Sequence, residues 1–141
     1  MTCTIDMRFA DTNILLYSIS SAVGEQRKAG IAIDLLSSKE VVISVQVLQE
    51  FYVQATRSSR SHPLPHAIAV EFIEKWRRFQ VQEITAEIMR AALDSKERWG
   101  ISYWDAAILE SARAAGCREV LSEDLSHGQN YGGILVTNPF L

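Results

Sequence analysis

Five short apolar runs alternate along this chain with stretches of helical periodicity, and that alternation limits the folds open to it. The runs occupy residues 7–10, 41–44, 81–84, 119–122 and 134–137. Most are continuous rather than alternating, as in strands buried on both faces. Between them, residues 24–37 place Ala29, Ala32, Ile33 and Leu36 on one helical stripe, with Leu35 at its edge. Residues 46–56 carry Val47, Leu48, Phe51, Tyr52 and Ala55 in the same way, and residues 66–79 carry Ala69, Val70, Ile73, Trp76 and Phe79. Further helices are expected at 86–99 and 103–115, the last stopped by Gly116. Strands alternating with helices imply an α/β fold with a mostly parallel sheet covered on both faces. The stretch SSRSHPLP at 58–65 reads as a loop between two helices. No internal repeat or long linker divides the 141 residues, so a single domain over 1–141 is expected.

Composition narrows the class. A hydrophobic share of 48% with 22% charged residues belongs to a packed globular protein and not to a disordered one. No apolar run approaches the roughly 20 residues of a membrane span. The start, MTCTIDMRFAD, is too short and too acidic for a signal peptide, so a cytoplasmic location is expected. Cys3 and Cys117 are then expected as free thiols, and no CxxC spacing accompanies them. A net charge of -3 and a pI of about 5.6 do not favour bulk nucleic-acid binding. Locally, however, Arg57, Arg60, Lys75, Arg77 and Arg78 gather with His62 and His66, opposed by Glu71 and Glu74. That stretch is either a solvated surface or a patch that steers phosphates.

Four acids sit at or near places where strands should stop and helices should start: Asp11 in FADTN, Glu50 in SVQVLQEF, Asp105 in SYWDAA and Asp124 in LSEDL. Ligands of parallel sheets bind beyond the carboxyl ends of the strands, where Asp11 and Asp124 are expected. Carboxylates that converge there repel one another and give up hydration, so they need a cation. Oxygen-only ligands suit Mg²⁺ or Mn²⁺, which points to metal-assisted phosphoryl chemistry. Each acid also has a local role open to it. Asp11 suits a helix N-cap, and Ser102 with Asp105 resembles a capping box. The helix that Asp105 opens is nearly all apolar or small, which draws this acid toward the core. Glu50 falls at the edge of its helix stripe, where periodicity reads a solvated side chain. Asp124 follows Glu123, and either of them can face the site. His62, His66 and His127 fall in loop or helix-start contexts and read as surface residues; no Ser-His-Asp arrangement is indicated.

At these residues the chain resembles the PIN-domain ribonuclease family, which includes the VapC-type toxins of bacterial toxin–antitoxin pairs. The matching features run from residue 7 to the C-terminus: a short strand into DTN at 11–13, the segment from Ser44 to Glu50, YWDA at 103–106 and LSEDL at 121–125. DLSHG at 124–128 and NPF at 138–140 look typical of one bacterial subgroup. The resemblance implies a three-layer α/β/α sandwich with a central, mostly parallel five-stranded sheet. It implies a Mg²⁺- or Mn²⁺-dependent endoribonuclease that cleaves single-stranded RNA by water attack, leaving 5′-phosphate and 3′-hydroxyl ends. Carried over by position, Asp11, Glu50, Asp105 and Asp124 form the metal site, with Thr12, Asn13 and Ser122 as polar neighbours that orient it. Arg57, Arg60 and Arg77 are the candidate RNA contacts. A cognate antitoxin and a homodimer are the implied protein partners. Trp76, Phe79 and Trp99 belong either to such an interface or to the core. Glu123 departs from the pattern by making the fourth acid ambiguous.

Two other classes fit parts of the sequence. A receiver-like Mg²⁺-binding signalling domain needs a lysine at the end of the last strand, and residues 134–138 offer none. A catalytically idle nucleic-acid-binding module of the same fold is opposed only by the retention of all four acids.

Overall fold

The computed structural model describes residues 6–141. Its six strands are β1 (Arg8–Ala10), β2 (Val41–Ser44), β3 (Gln80–Gln82), β4 (Glu119–Leu121), β5 (Asn130–Tyr131) and β6 (Ile134–Thr137). Its helices are α1 (Thr12–Ser18), α2 (Gln26–Leu36), α3 (Val45–Thr56), α4 (His66–Trp76), α5 (Ala86–Trp99) and α6 (Tyr103–Ala114), with a 3₁₀ turn at Val23–Glu25. The sheet order is β3-β2-β1-β4-β6-β5, and every pairing is parallel except that of β5 with β6. Two helical layers enclose the sheet, giving an α/β/α sandwich. In one, α1 packs on α2 and α3, and α3 packs on α4; in the other, α5 packs on α6. Ala92 meets Ala106 and Ala107 between α5 and α6, and these small side chains permit close approach.

The β1–β4 boundary positions everything that follows. From β1 the chain builds outward through β2 to β3, then returns to lay β4 on the other side of β1. Ala10 pairs with Leu121 there, and the Asp11 amide donates to the Leu121 carbonyl at 3.0 Å. Asp11 and Ser122 therefore leave adjacent strand ends together. This is the topological switch point, where open parallel sheets form a crevice.

The central strands are as apolar as the continuous runs require. Phe9, Val42, Ile43 and Val120 are fully buried. Trp76 and Phe79 are core residues: Trp76 meets Phe51 edge-on at 4.7 Å and stacks on Phe72 at 5.4 Å. Trp99 is half-buried against Tyr131, with ring centroids 5.4 Å apart. Neither Trp76 nor Phe79 is free to form an interface.

Several expectations are corrected. Among the described residues the sheet has six strands and not five. The additional β5 is a two-residue edge strand, joined to β6 by Gly132 and Gly133 at φ 61° and 101°. Two successive positive φ values favour glycine in a tight hairpin. The third strand lies at Gln80–Gln82 rather than 81–84, because Ile43 pairs with Val81 and the chain leaves the sheet before Ile84, which is exposed. α4 ends at Trp76, short of Phe79, and α2 begins at Gln26 after the 3₁₀ turn. Ile33 and Val70 belong to apolar stripes in sequence yet face solvent. α1 is a short helix that the apolar periodicity did not mark. Cys117 is a free thiol, buried, and burial pushes its pKa up to about 11; Cys3 lies outside the described residues. Among the described residues no helix is long and apolar enough to cross a membrane.

Candidate active site at the switch point

Asp11 caps α1 and anchors the site. Its carboxylate accepts from the Thr12 amide at 2.7 Å and from the Ser122 hydroxyl at 2.8 Å. It is 3% exposed. Burial pushes its pKa up to about 7 against those two hydrogen bonds, and the charges of Asp124 and Glu50 push the same way. One residue thus caps α1 and stands at the β1–β4 strand ends.

Glu50 is carried in from α3, which the Ser44 hydroxyl caps by accepting from the Val47 amide at 3.1 Å. The Thr12 hydroxyl donates to one Glu50 oxygen at 2.7 Å and the Gln46 amide to the other at 2.9 Å. The solvated glutamate expected from periodicity is a half-buried, fully engaged one. Asp105 comes from the first turn of α6. Its amide donates to the Ser102 hydroxyl at 3.1 Å, as a cap requires. Burial raises its pKa, the Ser102 bond opposes that, and the charges of Asp124 and Glu50 add to the rise. Ser102 is thus the cap of α6, and the Asp105 carboxylate stands in its first turn.

The segment after β4 completes the arrangement. Ser122 is fully buried and accepts from the Asp124 amide at 3.1 Å while donating to Asp11. Asn13 holds both neighbouring acids: its amide donates to Asp124 at 3.2 Å, and its carbonyl accepts from the Glu123 amide at 3.3 Å. Asp124 is exposed, and its charge pushes up the pKa of both Asp11 and Asp105. Glu123 is engaged elsewhere, with Tyr17 donating to it at 2.6 Å and Lys28 paired to its other oxygen. Burial works to raise the Glu123 pKa, but the Lys28 and Tyr17 contacts outweigh it and hold the carboxyl low.

Oxygen-only chemistry and mutual repulsion fit a hard divalent cation. Among the described residues, no three acidic, histidine or cysteine side chains stand close enough to enclose a metal directly. A hard cation that keeps several waters can bind through one or two carboxylates, so a looser group of acids still fits a divalent ion.

The basic residues divide. Arg57 and Arg60 line a groove with Ser20, Glu25 and His62. Arg60 also lines the adjoining recess with Asn13 and Tyr17, which brings this groove to the edge of the acidic site. Arg77 lines neither; it pairs with Glu74 at 2.9 Å on exposed surface. His66 shares a hydrogen bond with Tyr52 at 2.8 Å, and His127 accepts from the Asn138 amide at 2.9 Å.

Sequence reasoning missed Gln46, which is buried and bridges Glu50 to the Trp104 carbonyl. Its spacing of four residues from Glu50 was a usable signal, because such pairs meet on a helix. It also missed Tyr17 and Lys28, for which no local signal exists.

The family model of the PIN domain matches residues 8–131. This chain belongs to the PIN domain family. Solved PIN-like structures agree on the fold. A toxin–antitoxin complex from Klebsiella pneumoniae aligns with a TM-score of 0.68 at 19% identity, covering 94% of this chain and 97% of that one. VapC20 of Mycobacterium tuberculosis, described as a sarcin–ricin loop cleaving toxin, aligns at 0.64 with 24% identity, covering 83% and 91%. VapBC2 from Rickettsia felis, bound to a fragment of its promoter DNA, aligns at 0.63 with 15% identity, covering 92% and 96%. Among curated proteins none matches this chain.

Proposed function

We propose that this PIN domain is a Mg²⁺- or Mn²⁺-dependent endoribonuclease that cleaves single-stranded RNA, and that it is the toxin of a cytoplasmic toxin–antitoxin pair. What supports this reading is that the charges of Asp124 and Glu50 act on both Asp11 and Asp105 at this edge of the sheet, with Asp11 buried and its pKa raised to about 7. A carboxylate held under such stress marks a functional site. Asp11, Glu50, Asp105 and Asp124 would hold one or two cations. A bound cation lowers the pKa of water and polarises the phosphoryl oxygen.

The chain's own residues supply position. Ser122 and the Thr12 amide fix Asp11; Thr12 and Gln46 fix Glu50; Asn13 fixes Asp124. Preset orientation of this kind lets the site hold a phosphate and an attacking water in line. Several neighbours of the same fold are toxin–antitoxin complexes, which supports a cognate antitoxin as partner. A homodimer is part of the same proposal.

The test is cleavage of a labelled single-stranded RNA. Cutting in Mn²⁺, none in EDTA, and 5′-phosphate ends are expected. A protein that binds Mn²⁺ and RNA yet never cuts would be the idle module instead. Within the site, Asp124→Asn should cost far more turnover than Glu123→Gln, since the Glu123 oxygens are already occupied by Tyr17 and Lys28. The reverse order would move the fourth acid to Glu123.

The groove of Arg57 and Arg60 carries a separate expectation. Replacing both by alanine should weaken RNA binding and reduce the slope of log affinity against log salt by about 1.4, at roughly 0.7 per lost phosphate contact. Arg77→Ala should leave that slope alone, because Arg77 is paired outside the groove. Equal slopes for all variants would make the groove ordinary surface.

A further inference from the structure

Lys28 is held more firmly than a surface lysine usually is. Its ammonium pairs with Glu123, donates to the Tyr17 hydroxyl at 3.2 Å, and lies 4.9 Å and 5.7 Å from the ring centroids of Tyr17 and Phe140. Tyr17 and Phe140 meet edge-on at 4.9 Å, and Arg27 donates to the Phe140 carbonyl. Tyr17 closes the triangle by donating to the second Glu123 oxygen at 2.6 Å. Both oxygens of Glu123 are therefore occupied by groups from α1 and α2. These contacts span 95 to 106 residues of chain, so the segment after β4 is tied down from two directions.

That segment also carries Asp124. The residue that orients Asp124, Asn13, grips the Glu123 amide at the same time. Fixing the Glu123 side chain therefore fixes the peptide from which Asp124 departs. A free Glu123 would be a fifth carboxylate within one residue of the acidic ring. It would strengthen the pull on a cation while competing with Asp124 for it.

We propose that Lys28, assisted by Tyr17, is a positioning residue that withholds Glu123 from the acidic site and so makes Asp124 the fourth acid. This role rests on the nuclease reading and assigns Lys28 no contact with RNA.

The test compares the full chain with Lys28→Met, Lys28→Arg, Tyr17→Phe and the double variant Lys28→Met/Glu123→Gln. Mn²⁺ affinity is measured by titration calorimetry, and RNA cleavage at saturating Mn²⁺. Lys28→Met is expected to lose about tenfold in turnover, the scale of a lost outer partner of a metal site, while binding Mn²⁺ more tightly. A purely structural role would weaken both. The double variant should recover turnover to within about threefold of the wild type, since no carboxylate is left to intrude. Lys28→Arg should keep both properties, and Tyr17→Phe should move in the direction of Lys28→Met by a smaller amount. If Lys28→Met fails to fold, Tyr17→Phe alone carries the comparison. A double variant as slow as Lys28→Met overturns the role. So does RNA affinity that falls equally in the single and the double variant, because Lys28 would then touch RNA itself. A wild type that neither binds Mn²⁺ nor cuts RNA overturns the nuclease reading, and the positioning role with it.

Discussion

Asp11→Asn should abolish RNA cleavage and at the same time raise the melting temperature of the metal-free protein at pH 8. The loss of activity should be at least about 100-fold, beyond the roughly 10- to 100-fold cost of losing a partner that only orients a ligand. The gain in stability follows from linkage. Folded Asp11 keeps its proton up to about pH 7, whereas unfolded aspartate loses it near 3.8. Between those values the folded state binds the extra proton, so stability falls as pH rises. Above about pH 7 the full penalty stands, at most about 4 kcal/mol at 1.36 kcal/mol per pH unit. Asparagine removes the charge and with it the penalty. It remains a good N-cap, so the bond from the Thr12 amide can survive. Unfolding curves in EDTA at pH 5 and pH 8 measure this directly. The wild type should lose stability over that interval and the variant should lose much less. A variant that melts lower at pH 8 would mean that the Asp11 charge serves mainly to cap α1.

The second large effect concerns Asp105 and metal. Asp105→Asn should melt above the wild type in EDTA near neutral pH, because burial and the charges of Asp124 and Glu50 press against the ionised form. Metal reverses the order. A cation at 100 times its dissociation constant adds about 2.7 kcal/mol to the wild type, roughly 5–10 °C for a domain of this size. The variant should gain much less and cut RNA at least about 100-fold more slowly. The capping role of Asp105 predicts the opposite in EDTA, since losing a carboxylate in the first turn of a helix costs about 0.3–1 kcal/mol. Four melting curves decide. A variant that melts lower in EDTA, together with two proteins indifferent to Mn²⁺, would separate Asp105 from any common site.

How much of this was legible in the chain depends on the range of the interaction. Val41–Ser44 and Ala86–Trp99 coincide with their sequence-read ranges, because a continuous apolar run and a periodic stripe are properties of neighbours in sequence. Asn130–Tyr131 was not legible: two residues hold no period, and their strand state exists only through pairing with β6. Glu50 reads as solvated from its own helix. Its burial is decided by Thr12, 38 residues away, and by Gln46 beneath it. Ile33 fits its stripe yet faces solvent, since periodicity identifies a face without saying how far the neighbouring layer reaches.

Read alone, the chain specifies the parallel α/β architecture, the acids that end its strands and open its helices, and the oxygen-only chemistry they offer. Each of these follows from local patterning. Only folding separates the two adjacent acids: it pairs Glu123 with Lys28 and Tyr17 and leaves Asp124 exposed beside Asn13. Glu123 and Asp124 are equivalent by sequence, and Lys28 and Tyr17 break the tie from about a hundred residues away. It also divided the arginines, placing Arg60 beside Asn13 and pairing Arg77 with Glu74. Charge acts through space, so the fate of a carboxylate or a guanidinium is settled by the groups that folding brings against it.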